Sequence, residues 1–158
     1  MNIYHDTVEA RVAWLQEQLR ARGQRVTHQR VEVFRAVVQT DTHPTAEEVF
    51  QGVRVRIPSL SRSTAYQTLQ FLVDQGYVKA PFGTHHSTTR YDGNCAQHHH
   101  LVCVRCGLVT DMEPPQPVTP ALPQEMGHWG RVETVHLEFR GVCAGCLAQS
   151  LPESGDST

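Results

Sequence analysis

Two pairs of cysteines, Cys103-x-x-Cys106 and Cys143-x-x-Cys146, constrain the fold of this chain more than any other feature. Each pair places two sulfur atoms on one tight turn, and four thiolates on two such turns can close a tetrahedral zinc site. Two redox-active thiol pairs are the alternative interpretation, which we disfavour because both pairs lie in one acidic, strand-rich half. The sequence therefore predicts a structural zinc ion, which supplies much of the stability of a small domain. Cys95 stands outside both pairs and is predicted to be a semi-buried free thiol.

Charge divides the chain into two parts. Residues 1–90 hold 11 Lys or Arg against 8 Asp or Glu, whereas residues 91–158 hold 3 against 8. A basic first part and an acidic, cysteine-bearing second part suggest two domains with different partners. The sequence predicts these domains at residues 1–91 and 92–150, followed by a small, polar and flexible tail at residues 151–158.

The apolar residues are too scattered for a membrane protein. No run of about 18 apolar residues exists, and the N-terminus lacks the basic-then-apolar order of a signal peptide. We therefore expect a cytoplasmic protein that does not bind membranes. In the reducing cytosol, paired cysteines are more often metal ligands than disulfides.

Four amphipathic helices are predicted in the first part of the chain. The first spans residues 7–22, and the others begin after the N-cap residues Thr27, Thr45 and Ser61. Their apolar residues recur at helical spacing, which predicts a core of Val8, Val12, Leu15, Leu19, Val31, Phe34, Val37, Val38, Val49, Phe50, Val53, Ala65, Leu69, Leu72 and Val73.

A β-hairpin is predicted directly after the fourth helix, with strands at residues 77–82 and 88–91. Helices followed by such a hairpin form a winged-helix pattern, in which the helix before the hairpin enters the major groove of DNA. The polar face of that helix can bond phosphates and base edges, although an ordinary solvated face explains this helix alone equally well. Two arginines near the start of the second helix are placed for backbone or minor-groove contacts. The predicted DNA contacts are Arg25, Arg30, Arg62, Ser63, Thr64, Tyr66 and Gln67.

The second part is predicted to contain a small sheet. Residues 101–109 form a strand, the first cysteine turn and a return, and residues 131–142 alternate as a further strand before a short terminal helix. The predicted fold class is therefore α+β, with an N-terminal winged-helix DNA-binding domain and a small C-terminal α/β domain that holds the structural zinc.

A second metal site of different chemistry is indicated beside the cysteines. His98 and His100 lie two residues apart, so on a strand both imidazoles face the same way. A solvated histidine run is the alternative, but Asp92 precedes these residues and Asp111 lies on the returning segment. Nitrogen and oxygen donors suit divalent iron or manganese better than thiolates do.

Together these features resemble the ferric uptake regulator family of metal-dependent transcription factors, over roughly residues 10–147. Four motifs carry the resemblance: Gly23-x-Arg25-x-Thr27-x-Gln29-Arg30, His43-Pro44-Thr45-Ala46-Glu47-Glu48-Val49, Ser63-Thr64-Ala65-Tyr66-x-Thr68-Leu69 and His98-His99-His100-Leu101-Val102-Cys103-x-x-Cys106-Gly107. Their order and spacing together are very specific.

The resemblance implies that the C-terminal domain dimerises and that the homodimer binds a palindromic operator in double-stranded DNA. It also implies a regulatory metal site between the domains, whose matching positions are His43, Asp92, His98, His100 and Asp111. From the residues alone, His43 is only a histidine at the start of a helix; the resemblance makes it the ligand from the DNA-binding side.

Some positions depart from the family. Gln67 stands where the recognition helix usually has Arg after Tyr, and His28 replaces the usual Pro at a helix start. Some members have a further metal site, whose corresponding positions here are Gln97, His99, Val118 and Val135. Because valine cannot bind metal, we predict two metals per protomer.

Asp at both 92 and 111 resembles the peroxide-sensing branch of the family, in which iron promotes oxidation of a ligand histidine and manganese does not. The predicted function is therefore a repressor of metal-uptake or peroxide-stress genes that senses Fe²⁺ or Mn²⁺, and not an enzyme. Zinc-sensing members tend to carry a cysteine near position 92, so Cys95 leaves a zinc-uptake regulator as the alternative.

Two other classes fit less well. A metallohydrolase would use His98, His100 and an aspartate to activate water, but no general base is placed beside those ligands. A zinc-stabilised protein-interaction module would leave the histidines and aspartates without a role.

Overall fold

The computed structural model describes residues 7–80, 89–94, 96, 98–112 and 137–149. The chain forms two compact units, Met1–Ala96 and Gln97–Thr158. The sequence placed this boundary between residues 91 and 92, whereas the first unit continues to Ala96 because Asp92 pairs with Lys79 and the Lys79 ammonium donates to the Ala96 carbonyl at 2.8 Å. The tail at residues 151–158 lies outside the described residues.

Four helices build the described part of the first unit, as the sequence predicts: α1 (Val8–Ala21), α2 (His28–Val38), α3 (Ala46–Arg54) and α4 (Arg62–Asp74). Each begins after a hydroxyl side chain that accepts a bond from a backbone N–H of the first turn, which satisfies one of the donors left open at a helix start. These N-cap residues are Thr7, Thr27, Thr45 and Ser61. Thr45 also forms the full capping box with Glu48.

The hydrophobic core of the first unit lies around α2, which packs against α1, α3 and α4. The predicted apolar positions are buried in this core, except that Val8 and Val73 are only partly buried against it. Tyr77 and Val78, which follow α4, are buried as well. The periodicity of the sequence therefore identifies which face of each helix turns inward.

The described parts of the predicted hairpin, residues 77–80 and 89–91, form isolated bridges and not regular strands. Lys79 and Asp92 pair as an antiparallel bridge, each donating its N–H to the other's carbonyl at 2.8 Å. A second bridge joins Arg90 to Thr45, at the start of α3. The predicted turn at Gly83 lies outside the described residues.

Over residues 98–112 and 137–149, the second unit forms a three-stranded sheet in the order β2-β1-β3, followed by a short helix. The strands are β1 (His99–Cys103), β2 (Val109–Met112) and β3 (Glu138–Gly141), and the helix is α5 (Ala144–Ala148). β1 pairs with β2 antiparallel and with β3 parallel. Of the strand predicted over residues 131–142, the described part is strand at β3, and residues 131–136 and the proline-rich segment 114–123 lie outside the description.

No helix among the described residues has the length and apolar character needed to cross a membrane.

Candidate metal centres and nucleic-acid interface

The four paired cysteines converge at one end of the sheet, as predicted. One sulfur atom from each lies within 4.8 Å of the others. Cys103 Sγ is 3.9 Å from Cys146 Sγ, and Cys106 Sγ is 3.7 Å from Cys143 Sγ. Four sulfur atoms at about 2.3 Å from one zinc ion are separated by about 3.8 Å in a tetrahedron. The four thiols therefore fit a structural zinc site, and these distances are too long for disulfide bonds.

Sheet pairing explains why the two cysteine turns meet. In the parallel register of β1 and β3, Cys103 lies opposite Gly141, so the chain leaves both strands at the same end. Val104 N–H donates to the Gly141 carbonyl at 2.8 Å and fixes the two turns together. Gly107, with a φ of 70°, closes the first turn in the left-handed region that favours glycine.

The thiols of this cluster differ in acidity. Backbone N–H groups of Cys106 and Cys143 donate to Cys103 Sγ and lower the pKa of the Cys103 thiol to about 6. Bonds with the sulfur atoms of Cys106 and Cys143 raise the pKa of the Cys146 thiol to about 12. Donors arranged around one thiolate are typical of metal-binding cysteine turns, where the bound ion replaces the protons of the other thiols.

A second group of possible ligands lies on β2, on β1 and directly before β1 in the same unit. His98 Nε2 and His100 Nε2 are 2.9 Å apart, and Asp111 Oδ1 is 3.3 Å from the first and 3.8 Å from the second. The register places His100 opposite Asp111, and His98 lies two residues earlier. Ligands at about 2.1 Å from one divalent ion are about 3.0–3.4 Å apart, so these three donors fit a cation of that size.

His99 faces away from this group, as the strand period predicts. Its side chain is buried, and its Nδ1 accepts a bond from the Leu137 N–H at 3.4 Å. His99 therefore helps to hold the segment that leads into β3.

The first unit holds its own pair of possible ligands. His43 Nε2 is 3.6 Å from Asp92 Oδ1, and the side chains are only 3% and 2% exposed. Asp92 is fixed by the Lys79 bridge, and its Oδ1 accepts the Asn94 N–H at 2.6 Å. A buried imidazole beside a buried carboxylate is a suitable donor pair for a divalent cation.

The predicted DNA contacts on α4 differ in how they are held. Ser63, Tyr66 and Gln67 are exposed, whereas Thr64 is partly buried and its hydroxyl lies 2.7 Å from the Ser61 cap. The Arg62 guanidinium meets the Glu47 carboxylate with two contacts of 3.0 and 3.1 Å. Sequence reasoning missed this acidic partner, because Glu47 belongs to another helix and only packing brings the two together.

The two arginines near α2 are also placed in the first unit. Arg25 is exposed, and its carbonyl accepts a bond from Arg30 Nη1 at 2.6 Å. The Arg30 guanidinium also stacks on the Phe71 ring at 3.8 Å. These contacts keep a positive charge beside the N-terminus of α2, and the role of both residues in DNA binding stays a prediction.

The helices, the sheet and the ligand groups together match a known protein family. Residues 21–138 match the ferric uptake regulator family. The chain belongs to this family. Its members are transcriptional regulators that bind DNA, and not enzymes, so the metallohydrolase alternative is set aside. Metal sensing is likewise a property of the family.

Individual relatives agree over most of the chain. The peroxide-responsive repressor PerR of Staphylococcus aureus is 31% identical over 149 residues, which cover 92% of this chain and 98% of the relative. Among solved structures, the Helicobacter pylori ferric uptake regulator superposes with a TM-score of 0.68 at 21% identity, covering 90% of this chain and 95% of that one. A zinc uptake regulator in complex with zinc and DNA gives a TM-score of 0.61 at 22% identity, with 90% and 97% coverage. These structures share the fold of this family member.

Proposed function

We propose that this protein is a repressor of metal-uptake or peroxide-stress genes that senses Fe²⁺ or Mn²⁺. The regulatory ion would be bound by His43 and Asp92 of the first unit together with His98, His100 and Asp111 of the second. The observation that carries the proposal is the chemistry of this donor set, which consists of imidazoles and carboxylates only. Within each unit, the donors already lie at distances of 2.9–3.8 Å that suit one cation.

The donor set suits iron or manganese better than a thiolate site would. Carboxylate oxygens and imidazoles suit these ions, whereas the four thiolates of the cysteine cluster suit zinc. Iron bound at such a site would supply the redox chemistry for oxidation of a ligand histidine by peroxide. The 31% identity to a peroxide-responsive repressor supports this branch of the family.

The proposed assembly is a homodimer on a palindromic operator. Leu101 and Phe139 lie opposite each other in the β1–β3 register, and each is 45% exposed. Neighbouring exposed apolar side chains on one sheet support a contact with a second copy. A twofold dimer presents two α4 helices, which matches the half-sites of a palindrome.

The proposed function is tested by titrating the zinc-containing protein with Fe²⁺, Mn²⁺ and Zn²⁺ and measuring operator binding for each ion, with and without peroxide. We expect Mn²⁺ and Fe²⁺ to promote binding, and peroxide to abolish it only with iron, with oxidation of a ligand histidine detected by mass spectrometry. Binding promoted by Zn²⁺ alone would favour the zinc-uptake regulator, in which Cys95 would take part. Binding that no ion alters would contradict both.

Metal stoichiometry provides a separate prediction. The H. pylori structure has three functional metal binding sites, but in this chain Val118 and Val135 occupy two positions of the third site suggested by the family resemblance. Their side chains offer no donor atom, so we expect two ions per protomer, one zinc and one regulatory ion. Elemental analysis of protein loaded with Zn²⁺ and Mn²⁺ measures this number, and three tightly bound ions would refute the prediction.

Gln67 is expected to change the operator preference. It is exposed on α4 at the position where the family resemblance leads us to expect arginine, which reads guanine with two hydrogen bonds. Gln67→Arg should shift preference toward guanine at one half-site position by about 1–3 kcal/mol, measured by selection from operators randomised in that half-site. Ala13→Arg, which adds the same charge at an exposed position of α1, should leave base preference unchanged. If both substitutions changed base preference equally, the added positive charge alone would explain the change.

A further inference from the structure

His43 has an unusual backbone conformation. Its φ of 52° makes it the one non-glycine residue with a positive φ in the part of the chain that the structure describes. Residues with a Cβ rarely adopt this left-handed region, and the following Pro44 restricts the preceding backbone further. Such a conformation persists only where neighbouring groups hold it in place.

Arg90 supplies the contact that holds this backbone. Its Nη1 donates to the His43 carbonyl at 2.9 Å and lies 3.5 Å from the Thr42 carbonyl. Arg90 also pairs with Thr45 as a β-bridge, and the next residue, Tyr91, donates its N–H to the Pro44 carbonyl at 2.9 Å. The loop is therefore held at two successive carbonyls: the Arg90 guanidinium bonds that of His43, and the Tyr91 N–H bonds that of Pro44.

The same guanidinium connects the loop to α3. Arg90 Nη1 is 3.7 Å from Glu48 Oε2, and this oxygen accepts the Thr45 N–H at 2.6 Å in the capping box. The capping box does not depend on Arg90, because Glu48 N–H also donates to Thr45 Oγ1 at 3.1 Å. Arg90 therefore links the His43 loop to the start of α3, where the capping box forms without Arg90.

We propose that Arg90 is a positioning residue for His43. It holds the left-handed loop that keeps the buried His43 imidazole 3.6 Å from Asp92, and so sets the affinity of this ligand pair for its ion. The inference rests on the proposed metal site of which His43 is a ligand. Groups that orient metal ligands without touching the ion change metal affinity by about 10–100-fold when they are removed.

A purely structural role predicts a different outcome from a positioning role. The side chain of Arg90 is 25% exposed, and the capping box of α3 remains without it. Loss of the guanidinium should therefore weaken metal binding while the metal-free fold is kept. Lysine keeps the positive charge but carries it on a more flexible stem without the rigid planar guanidinium, so it should restore only part of the affinity.

The test compares Arg90→Gln and Arg90→Lys with wild type by calorimetric Mn²⁺ titration of the zinc-containing protein, together with the melting temperature of the Mn²⁺-free form. We expect Arg90→Gln to weaken Mn²⁺ binding about 10–100-fold, with an unchanged melting temperature and full operator affinity at saturating Mn²⁺. Arg90→Lys should lie between the two. Arg22→Gln is the matched control, since Arg22 donates to the Gln75 carbonyl at 3.3 Å outside the His43 loop, and it should behave as wild type.

Unchanged Mn²⁺ affinity in Arg90→Gln would overturn the inference, and so would a lower melting temperature or misfolding of that variant without Mn²⁺. A parallel His43→Ala titration separates this failure from that of the proposed function. If His43→Ala binds Mn²⁺ as wild type does, the proposed regulatory site is wrong. If His43→Ala loses affinity and Arg90→Gln does not, only the role of Arg90 is wrong.

Discussion

Replacing Cys106 with serine is expected to release zinc and unfold the second unit of this protein. The described part of this unit consists of three short strands and one short helix, and a sheet of this size buries little apolar surface. Structural zinc in small domains contributes about 10–16 kcal/mol of apparent binding free energy, which is also folding free energy. Zinc content by elemental analysis should fall to near zero, and circular dichroism should show loss of sheet structure.

The location of the four sulfur atoms makes this expectation strong. Cys106 Sγ lies 3.7 Å from Cys143 Sγ, so its removal breaks the contact between the two cysteine turns. Cys95→Ser is the matched control, because Cys95 stands outside the two pairs. It should keep its structural zinc. Full zinc content and an unchanged melting temperature in Cys106→Ser would show that the cluster is not a four-cysteine zinc site.

Local sequence signals predicted much of the fold, because helix caps and apolar periodicity act within a few residues. Thr27, Thr45 and Ser61 cap the helices that the sequence assigned to them. The spacing of the two CxxC pairs likewise predicted a zinc site without any information from distant residues. What the sequence could not supply is the parallel register of β1 and β3, since that pairing joins segments far apart in the chain.

In the candidate metal site, too, the ligands with a local sequence pattern were predictable from the residues, and the one without such a pattern was not. His98 and His100 were predictable as a pair because a strand alternates its faces, and Asp111 because a return strand follows the cysteine turn. His43 required the family resemblance, since no local pattern distinguishes it from an ordinary histidine before a helix. Its left-handed backbone and the Arg90 contact depend on a segment distant in sequence.

The predicted DNA-contact surface contains a further feature that only packing reveals. Arg62 begins α4, but its guanidinium is engaged by Glu47 and lies over the Phe50 ring at 5.3 Å. A phosphate that approaches Arg62 must therefore compete with a carboxylate. The pair is exposed, so its contribution to stability is small, and its consequence is the orientation of the arginine on the surface.

His43→Ala is expected to separate metal binding from DNA binding. His98, His100 and Asp111 remain as donors in the second unit, so the variant should still bind Mn²⁺, with lower affinity. An ion can shift a conformational equilibrium only through different affinities for the two states, and His43 is the proposed histidine ligand from the DNA-binding unit. The gain in operator affinity on adding Mn²⁺, typically 5–150-fold for coupled sites, should fall toward onefold. Fluorescence anisotropy with a labelled operator measures this gain.

The comparison must be made at Mn²⁺ concentrations that saturate each protein, because weaker binding alone would also reduce the response. His28→Ala removes an exposed histidine of the same unit that is not among the proposed ligands, and it should keep the full Mn²⁺-dependent gain. The structural zinc should be retained in both variants, since the four cysteines lie in the other unit. A His43→Ala protein that binds its operator in a fully Mn²⁺-dependent manner would show that regulation does not pass through this histidine.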